Sequence, residues 1–300
     1  MQQQSLEKKI LSSVPTIYLL GLFLLPIIIM IIMSFRIPDE YAGALPLINV
    51  SNKSIHINTS LDSFKFILNS PFIWTLCLRS LKYSIITTVL CLILGYPLAL
   101  LIVRSSKKIR DLLLLLVIVP FWSCFLIRIY AWMIILSPQS VISYYINHIL
   151  KIFGFMPVNL LYSSFAVILC LVYINLPFMI LPVYANLEKH DNAMIEASRD
   201  LGANAIQSFL QITIPLSMPG ILAGSALVFI PSIGMFVVSE LVGNNCALMI
   251  GNLIKQQFLQ TMNWPLGSAI AITMTLVVLS VSGFVALLAK KYGGLKYANA

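Results

Sequence analysis

Charge is what this sequence has least of. Only 10% of its 300 residues are Asp, Glu, Lys or Arg, and no more than 10 of those are acidic. Soluble domains carry about a quarter charged residues, so an ordinary water-soluble fold is excluded. Several chemistries are missing too. No G-x-x-x-x-G-K-[S/T] phosphate loop occurs, so the chain has no evident means of hydrolysing ATP itself. No G-x-S-x-G elbow is present, and His56, His148 and His190 stand too far apart for metal-ligand spacing. The five cysteines show no C-x-x-C pair and lie mostly in or beside apolar segments, where they read as small hydrophobes. Cys77 and Cys246 both fall on the outer side of the predicted topology, where a disulfide is one option. No internal duplication is evident.

What remains is a membrane sequence, 59% hydrophobic with a mean hydropathy of +0.95. A bilayer-crossing helix needs about 20 apolar residues. Six stretches meet that length: Pro15 to Ser34, Tyr83 to Val103, Leu112 to Leu136, Ser164 to Tyr184, Met218 to Leu241 and Gly267 to Ala289. The expected fold class is therefore an all-α integral membrane protein of about six transmembrane helices. The first span follows Lys8 and Lys9 and is too long, and too poor in a cleavage site, for a signal peptide. It reads as an uncleaved anchor.

The net charge of +9 comes from basic residues at the ends of apolar runs, not from one patch, so it describes topology and not a nucleic-acid partner. Lys8, Lys9, Arg104, Lys107, Lys108, Arg110, Lys189, Arg199, Lys290, Lys291 and Lys296 share one side, while the opposite short connections hold only Lys151 and Lys255. Both termini are thereby placed in the cytoplasm of a multi-pass cell-membrane protein. Ser70-Pro71 opens a helix expected to run through Arg79 and Lys82 into the second span.

One polar interruption, Glu188 to Pro219, does not look like a simple connector. Nothing breaks a helix from Ala193 to Leu201, with Met194, Ala197 and Leu201 on one face and Glu196, Arg199 and Asp200 on the other. Gly202 suits a helix end of positive φ, and Pro215 precedes the next apolar run. The stretch predicts two short helices joined at a glycine. Its four acids, Glu188, Asp191, Glu196 and Asp200, outnumber Lys189 and Arg199, which membrane insertion does not require. A protein-docking surface explains them, and a folded connecting loop remains the plainer alternative.

Inside the spans, Arg128 is the one deep charge and is expected to face a cavity or a partner group; Glu240 lies near the end of the fifth span. Two readings stand side by side: an intramembrane ion pair or a snorkelling arginine, and a carboxylate lining a cation path. Aromatics such as Tyr130 and Trp132 cluster at the same level, where they fit ammonium recognition, interfacial belts and plain packing alike.

Glu196-Ala197-Ser198, Gly202 four residues beyond, and Ile212-x-Ile214-Pro215 together resemble the EAA loop of ABC-importer membrane subunits, with Ser198 for the usual second alanine and Ile214 for leucine. Further stretches, among them Gly95-Tyr96-Pro97, Val119-Pro120-Phe121-Trp122, Gly234-Met235-Phe236, Ser239-Glu240 and Leu248 to Asn252, are similar to permeases of polyamine (spermidine/putrescine) importers from about Leu61 to Ala289. The resemblance implies a type I ABC-importer permease fold and a non-enzymatic, pore-forming subunit. It implies two ATPase copies that consume the ATP, a second and related permease, a substrate-binding protein, polyamine as cargo, and surrounding lipid; no cofactor is bound directly. The ATPase-coupling residues it implies are Glu196, Ala197, Ser198, Asp200, Gly202, Ile212 and Pro215, and the substrate-path candidates are Glu240, Arg128, Tyr130 and Trp132. The domain reading places the first helix and outer loop in 1–79, the permease domain in 80–289 with its coupling loop at about 185–217, and a tail in 290–300. Another small solute as cargo, or a stand-alone secondary transporter, are the competing readings.

Overall fold

The computed structural model describes residues 18, 20–39, 43–45, 48–51, 54–57, 59–152, 154, 156–190 and 193–297. Lys8, Lys9, Asp191 and the start of the first expected span lie outside them. Helix dominates, with one short hairpin of strands β1 (Ile48–Ser51) and β2 (Ser54–Ile57) that the hydropathy reading did not foresee. Two compact units are present, residues 1–74 with 253–277, and residues 75–252 with 278–300.

In the first unit, α1 (Leu20–Ser34) presents Leu22, Phe23 and Leu25 outward, as a helix in lipid does. Past it, the Phe35 and Phe64 rings meet at 5.2 Å, and the Ser60 N–H donates to the Phe35 carbonyl at 2.7 Å. Helix α2 (Asp62–Asn69) starts where the Asp62 N–H donates to Ser60 Oγ at 2.9 Å.

The second unit is built on α3 (Pro71–Arg104), which begins at the expected proline and continues from Thr75 through Arg79 and Lys82. Pro97 is tolerated inside it, as prolines are where neighbouring helices satisfy the freed carbonyl. After α6 (Val141–Ile152), helix α7 (Ser164–Leu187), capped by Ser163 Oγ accepting from the Ala166 N–H, runs beside α3 in the same direction. Tyr83 Oη meets Ser164 Oγ at 2.7 Å, Cys91 Sγ lies 3.6 Å from the Val172 carbonyl, and Gly95 abuts Met179 and Ile180. The returning α10 (Ile214–Gly234) packs against α7 through Gly220 and Gly224, a G-x-x-x-G pair that brings the backbones close.

By length and hydropathy, four described helical stretches can cross a membrane: Pro71–Arg104, Ser164–Leu187, Ala205–Gly234 and Trp264–Gly283, the last within α13 (Trp264–Tyr297). A fifth exists only as a broken pair. The third expected span is not continuous from Leu112 to Leu136: α4 (Lys107–Ile118) runs into a 3-10 turn at Val119–Trp122, and α5 (Phe125–Leu136) leaves at 94°. Pro120 lacks the N–H that would carry the α ladder onward, and Ser123 is extended at φ −88°, ψ 145°. Arg128, expected deep in one continuous span, stands instead on the second arm of this bend. The fifth expected span is also shifted. It starts at Ala205 and ends at Gly234, where Met235 (φ −80°, ψ 63°) interrupts it before the single turn α11 (Phe236–Val238); Glu240 sits beyond the break. No disulfide joins Cys77 to Cys246.

Candidate functional site

The polar interruption folds as two short helices around a glycine. Helix α8 (Ala193–Asp200) ends as the Gly202 N–H donates to the Arg199 carbonyl at 2.9 Å and the Ala203 N–H to the Ser198 carbonyl at 3.0 Å. Gly202 has φ +87°, a conformation that side-chain-bearing residues adopt only with strain. Helix α9 (Ala205–Ser208) starts on a capping box: Asn204 Oδ1 accepts from the Gln207 N–H at 2.8 Å, and Gln207 Oε1 accepts from the Asn204 N–H at 3.0 Å. It continues through a π segment, Phe209–Thr213, into α10 without interruption.

Glu196, Ala197, Asp200 and Gly202 are exposed, and so are Met194 and Leu201, the latter at 89%. Ser198 alone of the α8 motif turns inward, its Oγ 2.6 Å from the Oγ of buried Ser208. This contact gives the serine at the usual alanine position a physical role: it ties α8 to the root of α10. Ile212 and Pro215 are half-buried, on the π segment and the first turn of α10. The five residues between Ser198 and Asn204 thus form a joint whose exposed face mixes apolar, acidic and basic side chains.

Just before α8, Arg110 Nη1 donates to Glu188 Oε1 at 2.8 Å. A hydrogen bond from Tyr184, aided by Arg110, holds the Glu188 carboxyl below the usual carboxylate range. This pair joins the start of α4 to the end of α7, and nothing in the spacing of residues 78 apart announced it.

The four path candidates do not gather on one face. Arg128 and Trp132 lie four apart on α5 and share a side. The Arg128 guanidinium lies 5.6 Å from the Phe121 ring centroid, Phe121 meets Phe178 edge-on at 5.2 Å, and the Arg128 Nε is buried without a hydrogen-bond partner. Trp132 is half-buried against Tyr173, with ring centroids 5.5 Å apart. Tyr130 instead lines an open apolar groove of about 700 Å³ with Met133, Ile134, Val141 and Leu161. Glu240 is exposed on a π segment, Ser239–Gly243, that shares a core with α5: Ile129, Leu136, Val238 and Val242 are buried together, and Trp132 and Leu241 pack against them.

Residues 91–294 match the family described as "Binding-protein-dependent transport system inner membrane component". The spermidine/putrescine transport system permease protein PotB of Escherichia coli K12 is 46% identical over 221 residues, covering 73% of this chain and 78% of that protein. PotB of Haemophilus influenzae is 46% identical over 67% of this chain and 69% of its own length. The E. coli inner membrane ABC transporter permease YdcU is 32% identical over 73% of this chain and 72% of its own length. Among solved structures, a chain of a bacterial ABC transporter that imports the acidic polysaccharide alginate superposes with a TM-score of 0.66 at 20% identity, covering 97% of this chain and 98% of that one. A chain of the MetNI methionine ABC transporter gives 0.56 at 18% identity, over 74% of this chain and 98% of its own. At such identities the structural likeness establishes the fold. With several apolar spans, an exposed helical elbow and these relatives, the chain belongs to the binding-protein-dependent transport family of inner membrane components, as a multi-pass permease subunit and not an enzyme.

Proposed function

We propose that this chain is one of two related permease subunits through which an ATP-driven importer moves polyamines into the cytoplasm. The observation that carries the cargo is 46% identity over 221 residues to permeases named for spermidine and putrescine. In this reading 80–289 is the permease domain, both termini are cytoplasmic, and two ATPase copies and a binding protein complete the assembly in its lipid. Glu196, Ala197, Ser198, Asp200, Gly202, Ile212 and Pro215 form the ATPase-coupling element.

The mechanics follow from the joint. An ATPase gripping the exposed face of α8 moves a helix bonded to Ser208 at the root of α10, and α10 is close-packed on α7 at Gly220 and Gly224. Close-packed elements shift as bodies instead of deforming gradually. Nucleotide can drive the pore only if the ATPases hold the elbow differently in two states, and turning a 1:99 population into 99:1 takes about 5.5 kcal/mol of differential grip. On the path side, the exposed Glu240 carboxylate offers a cation charge pairing, and Trp132 an aromatic face worth about 0.5–2 kcal/mol to an ammonium group. Arg128 repels a cation, so its place over Phe121 assigns it to holding the bend at Pro120, with Tyr130 facing away from Trp132.

The test is uptake of labelled spermidine by the reconstituted assembly alongside ATP hydrolysis. Glu196→Ala combined with Gly202→Val leaves membrane insertion intact and abolishes the coupling of hydrolysis to uptake; normal uptake by that variant contradicts the coupling role.

A further inference from the structure

Where α10 breaks at Gly234, a chain entering apolar surroundings leaves carbonyls and amides that the helix no longer pairs. One side chain bridges the segment beyond the break to the start of the next helix, although the Phe236 carbonyl it reaches also accepts from the Ser239 N–H. Asn252, at the third residue of α12 (Ile250–Leu259), donates from Nδ2 to the Phe236 carbonyl at 3.2 Å. Its Oδ1 accepts from the Met249 N–H at 3.0 Å and lies 3.0 Å from Ser239 Oγ. The single Ser239 hydroxyl proton is shared between Asn252 Oδ1 and the Ala247 carbonyl, the latter 2.5 Å from Ser239 Oγ. The adjacent Ile250 N–H is accepted by Ser80 Oγ of α3 at 2.8 Å.

These contacts enclose the loop that bears Glu240. Phe236 lies just before its π segment, Ser239 opens it, and Ala247 closes the 3-10 turn that follows, Asn244–Ala247. Ser80, Ser239, Ala247 and Met249 are each inaccessible to solvent at 0% exposure, while Glu240, next to Ser239, is exposed. Space permits little else. A methyl on Gly251 falls 3.0 Å from Phe236 Cβ and 3.1 Å from the Gly234 carbonyl oxygen, so α12 is seated directly on the break. Asn244 at φ +46° makes the sharp exit from the π segment, and Gly243 lies so near Val167 and Ala247 that a methyl there meets them at 2.6 and 2.8 Å.

We infer that Asn252 is a positioning residue of the substrate path: its amide clamps the interrupted fifth span through Phe236, Ser239 and Met249 and thereby sets where the Glu240 carboxylate stands. The inference rests on the reading of Glu240 as a cation-path residue. Asn252 and Ser239 are the specific partners, because an amide supplies a donor and an acceptor at once and a hydroxyl links the acceptor to the next free carbonyl. Substituting either leaves buried polar groups unpaired, as hydrogen-bond networks in a low-dielectric interior do not tolerate.

The experiment is a double-mutant cycle in the reconstituted assembly, with Asn252→Ala, Glu240→Gln and the pair, reading the spermidine concentration for half-maximal uptake and the maximal rate. Ser239→Ala runs in parallel as a milder break of the same clamp, and permease abundance and ATPase retention are measured for each. The expected result is a rise in the half-maximal concentration of about tenfold for Asn252→Ala, equivalent to about 1.4 kcal/mol, with ATPase retained and no further rise in the double variant. Ser239→Ala gives a smaller shift of the same kind. Additive effects of Asn252→Ala and Glu240→Gln overturn the clamp while leaving the path reading standing. An effect of Asn252→Ala with none from Glu240→Gln overturns the clamp and the path reading together. Loss of the Asn252→Ala protein from the membrane shifts the decision to Ser239→Ala, whose additivity with Glu240→Gln overturns the inference in the same way.

Discussion

Replacing Gly220 by alanine tests the close contact of α10 with α7. A Cβ there falls 2.6 Å from Asn186 Cβ, 3.0 Å from the Pro182 carbonyl oxygen and 3.1 Å from Asn186 Cγ. Carbon atoms rest at about 3.5–4.0 Å, so the two backbones must separate by roughly 1 Å. Neither neighbour can swing clear, because one is a main-chain oxygen and the other sits at the base of its side chain. Overpacking of this kind costs about 1–3 kcal/mol, against which alanine gains about 1 kcal/mol of helix propensity, leaving a net loss of up to about 2 kcal/mol. Gly224→Ala is the internal control. Its nearest obstacle is the flexible Met179 sulfur at 2.8 Å, with the Met179 carbonyl at 3.2 Å, so its loss is smaller. Gly283→Ala, with nothing within 4 Å, keeps the helix gain alone. Thermal unfolding of the purified assembly in detergent reads the order Gly283→Ala, Gly224→Ala, Gly220→Ala from most to least stable. At about 2–4 °C per kcal/mol for a bundle of this size, the last pair separates measurably. A Gly220→Ala protein as stable as Gly283→Ala refutes the close approach of α10 to α7, and with it the route from elbow to bundle.

Three further outcomes follow from other contacts. Ser198→Ala takes the Oγ partner from the buried Ser208 hydroxyl and destabilises the elbow by about 1–3 kcal/mol, while adding Ser208→Ala loses less than the sum of the two single changes; proteolysis at the elbow and a double-mutant cycle of unfolding check this. Glu188 has a carboxyl held below its ordinary value of 4.5, so its contribution is full above that value and is lost as pH falls through the lowered one. Thermal midpoints of wild type and Glu188→Gln therefore run parallel from pH 5 to 8 and converge only in stronger acid. Phe121→Leu removes the ring beneath Arg128 and loosens the bend at Pro120 by about 0.5–2 kcal/mol, seen as faster hydrogen exchange in 119–125.

The elbow was legible because its signals are local: an uninterrupted helical face over Ala193 to Leu201, a glycine able to take φ +87°, and a proline at the next helix start. So was the onset of α3 at Pro71. Hydropathy located the third and fifth spans but not their breaks, since apolar residues run straight through Ile118 to Leu136 and through Gly234 to Leu241 whether the backbone is straight or bent. Pro120 and Gly234 are residues that permit a break without requiring one; Pro97 lies inside a helix that stays continuous. The tertiary partners decide, and these are contacts such as Asn252 with Phe236 or Tyr83 with Ser164, between residues far apart in the chain. Tyr130 and Trp132 share a level of α5 but not a face, since residues two apart on a helix point about 200° away from each other.

The most direct test of the coupling account is site-specific cross-linking from Leu201→Cys, on the most exposed apolar side chain of the elbow, with exposed Cys124 and Cys246 replaced by serine. In native membranes the account predicts a cross-link to the ATPase subunit whose yield changes when nucleotide is bound, and no labelling by an impermeant thiol reagent added outside intact cells. A cysteine there that reacts from outside, or that joins to no partner in the assembled importer, contradicts it.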